Sequence, residues 1–261
     1  MVSLKKLLLF SPFLLLLTSC NENKNNLELK SGNIKVNNIE TLNLDVNGVT
    51  NLNITNSDDD YFYIDFLDSN SNYYIESESK YKLDSKGINL NISIPKDKNI
   101  NLTGLYINEI IMNEVNINSF ELNLTSNNFI KIINCEINNV TYYTTYTNEF
   151  TISSSIFDNL NISAKTLAQL NMKHNTFNSL YSNIIKSKIN FTNNIFSILD
   201  FKTRSCTYNL FLNADLRYSY SLNLKCPSID SYVANDNEKA TSKIKIDTYS
   251  GYIYVGYYYT E

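Results

Sequence analysis

The chain has 261 residues, 43% hydrophobic and 18% charged, with four cysteines, one histidine, no tryptophan and a formal net charge of −4. Its 20 tyrosines and 13 phenylalanines carry too much aromatic surface for a disordered polymer. Five alanines against 43 asparagines exclude a mainly helical fold and favour strands, and the acidic balance gives nucleic acid no electrostatic attraction.

The N-terminus reads as an export address. Lys5 and Lys6 precede an apolar run from Leu7 to Leu17, interrupted only by Ser11 and Pro12. That length suits a secretory signal and is too short for a membrane-spanning helix. Leu17-Thr18-Ser19-Cys20 closes the run and resembles the lipobox of bacterial lipoproteins. The resemblance implies a signal peptide of residues 1–19, a diacylglyceryl group on the Cys20 sulfur and a further acyl chain, such as palmitate, on its amine. At about 0.8 kcal/mol per buried methylene, several such chains make a stable membrane anchor. The alternative is an ordinary cleaved signal with an incidental cysteine. Cleavage removes two lysines and no acid, taking the net charge from −4 to −6. Residues 20–26 then form the lipidated cysteine and a polar tether, and 27–261 the folded domain.

A twenty-residue period runs through the middle of that domain. Ile110, Ile130, Phe150, Leu170 and Ile189 form one column, and Met112, Ile132, Ile152, Met172 and Phe191 stand two residues on. Seven residues on come Ile117, Ile137, Phe157, Phe177 and Phe196, and ten on come Phe120, Val140, Leu160, Leu180 and Leu199. All are apolar, and the residues between them alternate in polarity as half-buried strands do; at offset 12 only Ser182 breaks the pattern. The prediction is an all-β, single-stranded, right-handed parallel β-helix in which each coil stacks about 4.8 Å from the next. Offset 8 holds Asn118, Asn138, Asp158, Asn178 and Ser197, short polar residues suited to a left-handed corner. The alternative is a leucine-rich-repeat solenoid, since Phe157-Asp158-Asn159-Leu160-Asn161-Ile162 fits its L-x-x-L-x-L core; a consistent Asn after the core and a helical return are missing.

The period weakens toward both ends. Leu90, Ile92, Ile100 and Leu102 match it upstream, as do Leu210, Leu212, Tyr220 and Leu222 downstream. Continued over 27–255, it would give about eleven coils and a rod of roughly 50–55 Å. Ser31-Gly32-Asn33-Ile34-Lys35-Val36 and Ser250-Gly251-Tyr252-Ile253-Tyr254-Val255 share one pattern, and Leu90-Asn91-Ile92-Ser93-Ile94-Pro95 reads as a strand meeting a proline corner. This set resembles the adhesin β-solenoid domains of bacterial envelope proteins, the auto-transporter-adhesin head type, which recur on lipoproteins. The resemblance implies a surface-interaction role and supplies no catalytic residues.

His174 is the single histidine, which leaves no histidine-based metal cluster; at offset 4 with Glu114, Asn134, Ser154 and Asn193 it is expected at the surface. Asp58, Asp59 and Asp60 lack the alternate spacing and glycine of a calcium loop and read as a solvated turn. The enzymatic alternative is a polysaccharide lyase or hydrolase on the same scaffold, which needs paired carboxylates, or a basic residue set against acids, on adjacent coils. Asp158 stands alone in its column, and only Arg204 and Arg217 supply guanidinium, so no catalytic, cofactor or metal residue is assigned. Cys206 and Cys226 are one coil length apart; on neighbouring turns they could form a disulfide worth roughly 3 kcal/mol, the alternative being two buried thiols like that expected at Cys135. Tyr252, Tyr254 and Tyr257, in a tyrosine-rich C-terminus, form a candidate binding surface or a cap on the last coil. The expected partners are a membrane, through lipid on Cys20, and a protein or glycan ligand on a solenoid face. The expected place is the bacterial cell envelope, with the outer membrane or cell surface favoured over the periplasmic face.

Overall fold

A computed structural model describes residues 31–37, 39–67, 72–77, 79–215, 217–236 and 239–259; Cys20, the signal peptide and the tether lie outside them. In chain order the strands are β1 (Ser31–Val36), β2 (Thr41–Asn56), β3 (Phe62–Leu67), β4 (Asn72–Ser77), β5 (Lys80–Ile94), β6 (Asn99–Asn113) and β7 (Asn116–Ile133). There follow β8 (Glu136–Ser153), β9 (Ile156–Lys173), β10 (Thr176–Thr192), β11 (Ile195–Asn213), β12 (Tyr220–Lys225), β13 (Ile229–Ser231) and β14 (Ser242–Tyr258). From β7 to β11 each coil is one long bent strand closed by a two-residue corner, and the described residues hold no helix, which removes the leucine-rich-repeat alternative.

The four apolar columns stack as the period requires. Ile110, Ile130, Phe150, Leu170 and Ile189 are consecutive partners in the parallel ladder, as are Ile117, Ile137, Phe157, Phe177 and Phe196 from the second coil's strand onward. All twenty residues of the four columns are buried. Phe177 and Phe196 stack with ring centroids 5.5 Å apart and planes 12° from parallel. Each such side chain contributes about 1.5–3 kcal/mol by leaving water, so one coil's set is worth several kcal/mol only when a neighbouring coil covers it.

The left-handed corner lies at offset 4, not at offset 8. Glu114, Asn134, Ser154, His174 and Asn193 have φ of 57°, 53°, 50°, 56° and 49°. Their N–H groups donate across the coils, as from Asn134 to the Ser153 carbonyl at 3.1 Å and from Asn193 to that of Phe211 at 2.8 Å. Side-chain type signalled this column only in part: Asn134, His174 and Asn193 are of types that favour the conformation, but Glu114 and Ser154 are not, and there the coil's geometry imposes it.

The next residue in each corner turns inward and builds a second ladder. Cys135, Ser155, Asn175 and Asn194 are buried. The Cys135 N–H donates to Ser155 Oγ at 3.1 Å, the Ser155 N–H to Asn175 Oδ1 at 3.0 Å, and the Asn175 N–H to Asn194 Oδ1 at 2.9 Å. Asn194 Nδ2 donates in turn to the Met172 and Thr192 carbonyls at 3.0 and 3.1 Å. Each of these side chains thus satisfies a buried backbone donor one coil away.

The ends depart from simple stacking. The sheet order is β1-β3-β5-β2-β6-β7-β8-β9-β10-β11-β14-β12, with β4 on β5 and β13 on β14. Leu90 and Ile110 are therefore not neighbours: Leu52 of β2 pairs with both. At the other end β14 enters between β11 and β12, so that Ile244 pairs with Leu199 on one side and Leu222 on the other. The connections that step over an interposed strand are long, 95–98 and 214–219, against two residues at the central corners. A glycine marks the tight contact on each side. A Cβ at Gly104 would lie 1.9 Å from the Val46 carbonyl oxygen, and one at Gly251 would lie 1.8 Å from that of Cys206.

The parallel stack from β5 to β12 has ten layers, about 43 Å at the usual strand spacing, and is shorter than the period alone suggested. The missing length went into β1, β3 and β4, which pair antiparallel across the N-terminal end. There Phe62, Ile64 and Phe66 close the core. At the opposite end Asn235 occupies the outer edge of β12, accepting from the Leu222 N–H at 2.9 Å and donating to its carbonyl at 3.2 Å. Such caps keep open ladder edges from pairing with other chains.

The two polar columns make a sharp test. Asn194→Ala strands the buried Asn175 N–H and is expected to cost about 1–3 kcal/mol. Asn178→Ala, in the exposed offset-8 column, should stay within about 0.5 kcal/mol of wild type. Urea unfolding of both variants reads the difference; equal losses would contradict the ladder's role.

Candidate functional site

Alternation along β8 to β11 decides which side chains face water. Tyr142, Ile162, Ser182 and Phe201 point inward and are buried. Their neighbours on either side form two outward columns. Thr141, Asn161, Tyr181 and Asp200 make one, and Tyr143, Ser163, Asn183 and Lys202 the other. These eight residues, with backbone from Ile162 and Ser182, line a depression of about 360 Å³. A second of the same volume shares Tyr143, Ser163 and Asn183 and runs on toward Lys165 and Ile185. The first spans β8 to β11, and together the two form a trough from β7 to β11.

Tyr143 and Tyr181 stand at opposite corners of the first depression, 46% and 43% exposed. They are two layers and two residues apart, about 12 Å between α-carbons on strand geometry. Asn161 and Ser163 form the floor between them. Asp200 Oδ2 accepts from Lys245 Nζ at 3.2 Å, whereas its Oδ1 is buried and lacks a hydrogen-bond partner. Among the described residues, the side chains of Asn161, Asn183, Ser163 and both tyrosines make no hydrogen bond, whereas several outward asparagines elsewhere are joined from coil to coil. Asn159 donates to Asn139 at 3.0 Å, and Asn209, Asn190 and Asn171 form a continuous chain with 2.9 and 2.8 Å links.

Beneath the trough the core is polar at one point. The Tyr142 hydroxyl donates to Asn127 Oδ1 at 2.6 Å and is hydrogen-bonded to Thr147, which itself donates to the same oxygen at 2.8 Å. Burial pushes the Tyr142 hydroxyl up to about 12, against the partial relief of these bonds. Tyr208 and Tyr220 are likewise pushed above the ordinary range by burial.

The residues singled out from sequence fall elsewhere. Tyr252 and Tyr254 do face outward from β14, but that strand is the penultimate layer and not the last, so the segment at 229–232 covers them. The Tyr252 hydroxyl donates to Asp230 Oδ2 at 2.6 Å, a bond that raises its pKa to about 12. Tyr254 packs against Phe211 and Tyr232 at centroid distances of 5.4 and 5.8 Å. Tyr257 is half-buried beside Tyr259. Cys206 and Cys226 are free thiols. They are not on neighbouring turns, because β14 lies between their strands; Cys206 stands opposite Gly251 instead. Cys135 and Cys206 are buried, and burial raises both thiols.

His174 is exposed, with its ring 5.9 Å from that of Tyr258. Asp58, Asp59 and Asp60 form an exposed turn, in which Asp59 accepts from the Tyr63 hydroxyl at 2.6 Å; this bond lowers its pKa. Arg217 is committed to Asp215 through Nε and Nη2. No cluster of three metal-ligating side chains occurs among the described residues. Asp200 and Asp247 lie on adjacent layers, each beside a lysine: Lys245 at 3.2 Å and Lys225 at 4.0 Å. The trough escaped sequence reading because its two rings stand in different columns; the alternation that turns Tyr142 inward was the available signal that Tyr143 faces out.

No family model matches the chain, and no curated protein matches it. Among solved structures, a "putative cell adhesion protein" from Clostridium sporogenes ATCC 15579 is similar over 88% of this chain and 100% of its own, with 10% identity. Its TM-score is 0.21, too low to support an argument about fold or function.

The buried tyrosines set an alkaline limit. A folded-state pKa above the ordinary 10.0 means that the native chain holds its proton where the unfolded chain has lost it. Stability should be level below about pH 10 and fall as pH rises toward 12, by about 1.4 kcal/mol per pH unit for each such tyrosine. Tyr142→Phe should remove one proton's worth of that slope in urea unfolding at pH 9 to 11.5; an unchanged slope would contradict the assignment.

Proposed function

We propose that this chain is a non-enzymatic, lipid-anchored protein of the bacterial cell envelope whose β-solenoid presents a surface for adhesion. The observation that carries this reading is the outward display of aromatic rings on a regular scaffold. Tyr106 on β6, Tyr143 and Tyr146 on β8, and Tyr181 on β10 are 39%, 46%, 41% and 43% exposed. Aromatic surface left in water costs free energy that burial against a partner recovers, and tyrosine offers both an apolar face and a polar tip to such a partner. Buried columns beneath hold the rings at fixed spacing, so a ligand meets a preformed surface and little order must be created on binding.

The lipobox-like Leu17-Thr18-Ser19-Cys20 supports attachment by lipid, and the polar residues after it support a domain held clear of the bilayer. Lys245 holds one oxygen of Asp200 at 3.2 Å, which supports binding over turnover at that carboxylate.

Two measurements test this. Detergent-phase partitioning of cells producing the full chain should recover the wild type with lipid and Cys20→Ser in the aqueous phase; equal partitioning would refute the anchor. Protease treatment of intact cells should digest the chain, and its survival alongside digestion of a known surface protein would refute outward adhesion.

A further inference from the structure

We propose that the trough, where it crosses β8, β9, β10 and β11, is a binding site for a neutral glycan, with a sugar ring over the Asn161 and Ser163 floor between Tyr143 and Tyr181. This deepens the adhesive reading above by naming its ligand class.

Unpaired hydrogen-bonding groups are the first ground. On other columns several outward asparagines join one another from coil to coil. In the trough that pairing is interrupted: Asn161 stands between Thr141 and Tyr181, and Asn183 between Ser163 and Lys202. Each amide keeps two donors and an acceptor for a ligand. A sugar hydroxyl both donates and accepts, and so can meet amide and serine groups in one arrangement.

The rings are the second ground. A pyranose has a C–H face that packs on an aromatic ring while its hydroxyls project sideways, and Tyr143 and Tyr181 border a floor of polar side chains. Charge is the third. Asp200 is tied to Lys245, and its second carboxylate oxygen is a buried acceptor without a donor. That pairing leaves the exposed Lys202 as the cation of the first depression's lining, and a single ammonium donates to sugar hydroxyls without the row of cations that a polyanion would need. A neutral polyhydroxylated chain therefore fits better than an acidic polymer. A protein ligand would be expected to seat an apolar anchor in a dry pocket, which the polar floor does not provide.

The full-length chain in detergent micelles is incubated with insoluble cellulose, chitin and xylan, and with polygalacturonate beads as the anionic comparison. Retention is expected on at least one neutral polymer, with little change as salt rises. Tyr181→Ala and Asn183→Ala should each weaken it about tenfold or more, Tyr181→Phe should preserve it, and Tyr249→Ala, at an exposed ring on β14, should leave it unchanged. Because Tyr181 and Asn183 are exposed, their variants should keep the wild-type thermal midpoint, which separates lost binding from lost folding.

Absence of retention on all three neutral polymers overturns the proposal, as does retention that Tyr181→Ala leaves intact. Retention confined to polygalacturonate and abolished by salt assigns an acidic ligand and overturns it too. Release of reducing sugar that Asp200→Asn abolishes replaces binding by turnover. A chain digested on intact cells that binds none of these polymers loses only the ligand class; one that binds glycan but resists the protease loses only the outward display.

Discussion

Everything in this molecule depends on equal positions lying over one another at the spacing of a parallel ladder. A single coil cannot cover its own apolar side chains; Leu170 is shielded because Phe150 lies on one side and Ile189 on the other. The same repetition governs polar groups. A buried corner is tolerable because Asn194 meets the Asn175 N–H, Asn175 meets that of Ser155, and Ser155 meets that of Cys135. Stacking thus settles hydrophobic cover and hydrogen-bond satisfaction together, and leaves the outward positions free to vary.

That freedom is where function enters. Outward residues contribute little to the core, so they can either tie coils together or remain open to a partner. Both uses occur here. The Asn171, Asn190 and Asn209 chain binds three successive coils, while Asn161 and Asn183 are isolated by Tyr181, Ser163 and Lys202.

The central coils were legible in the sequence because their 19- and 20-residue spacing repeats the same burial pattern. The ends were not, for a specific reason. Leu52 and Leu90 are equally suited to the position beside Ile110, and apolar alternation does not distinguish one strand from another in the same phase. The left-handed corner was hidden by side chains such as Glu114 and Ser154 that have no marked preference for it. The density of tyrosines near the C-terminus drew attention to Tyr252 and Tyr254, but the interposition of β14 brought Asp230 and Tyr232 over them. Conversely, Tyr143 and Tyr181 are distant in sequence and belong to different columns, and only the coiled backbone brings them to one trough.

Interposing β2 between β5 and β6 has a mechanical consequence. In an ordinary solenoid the terminal coil can be peeled away by breaking one ladder, a bond at a time, when the chain is pulled from its end. Here tension applied through the N-terminus first frees β1, held by one ladder to β3, and then reaches β2, paired with β5 along one edge and β6 along the other, so two ladders must slide before the next coil is loosened. Under flow or drag, a body held by that end would resist unravelling by shear and not by unzipping.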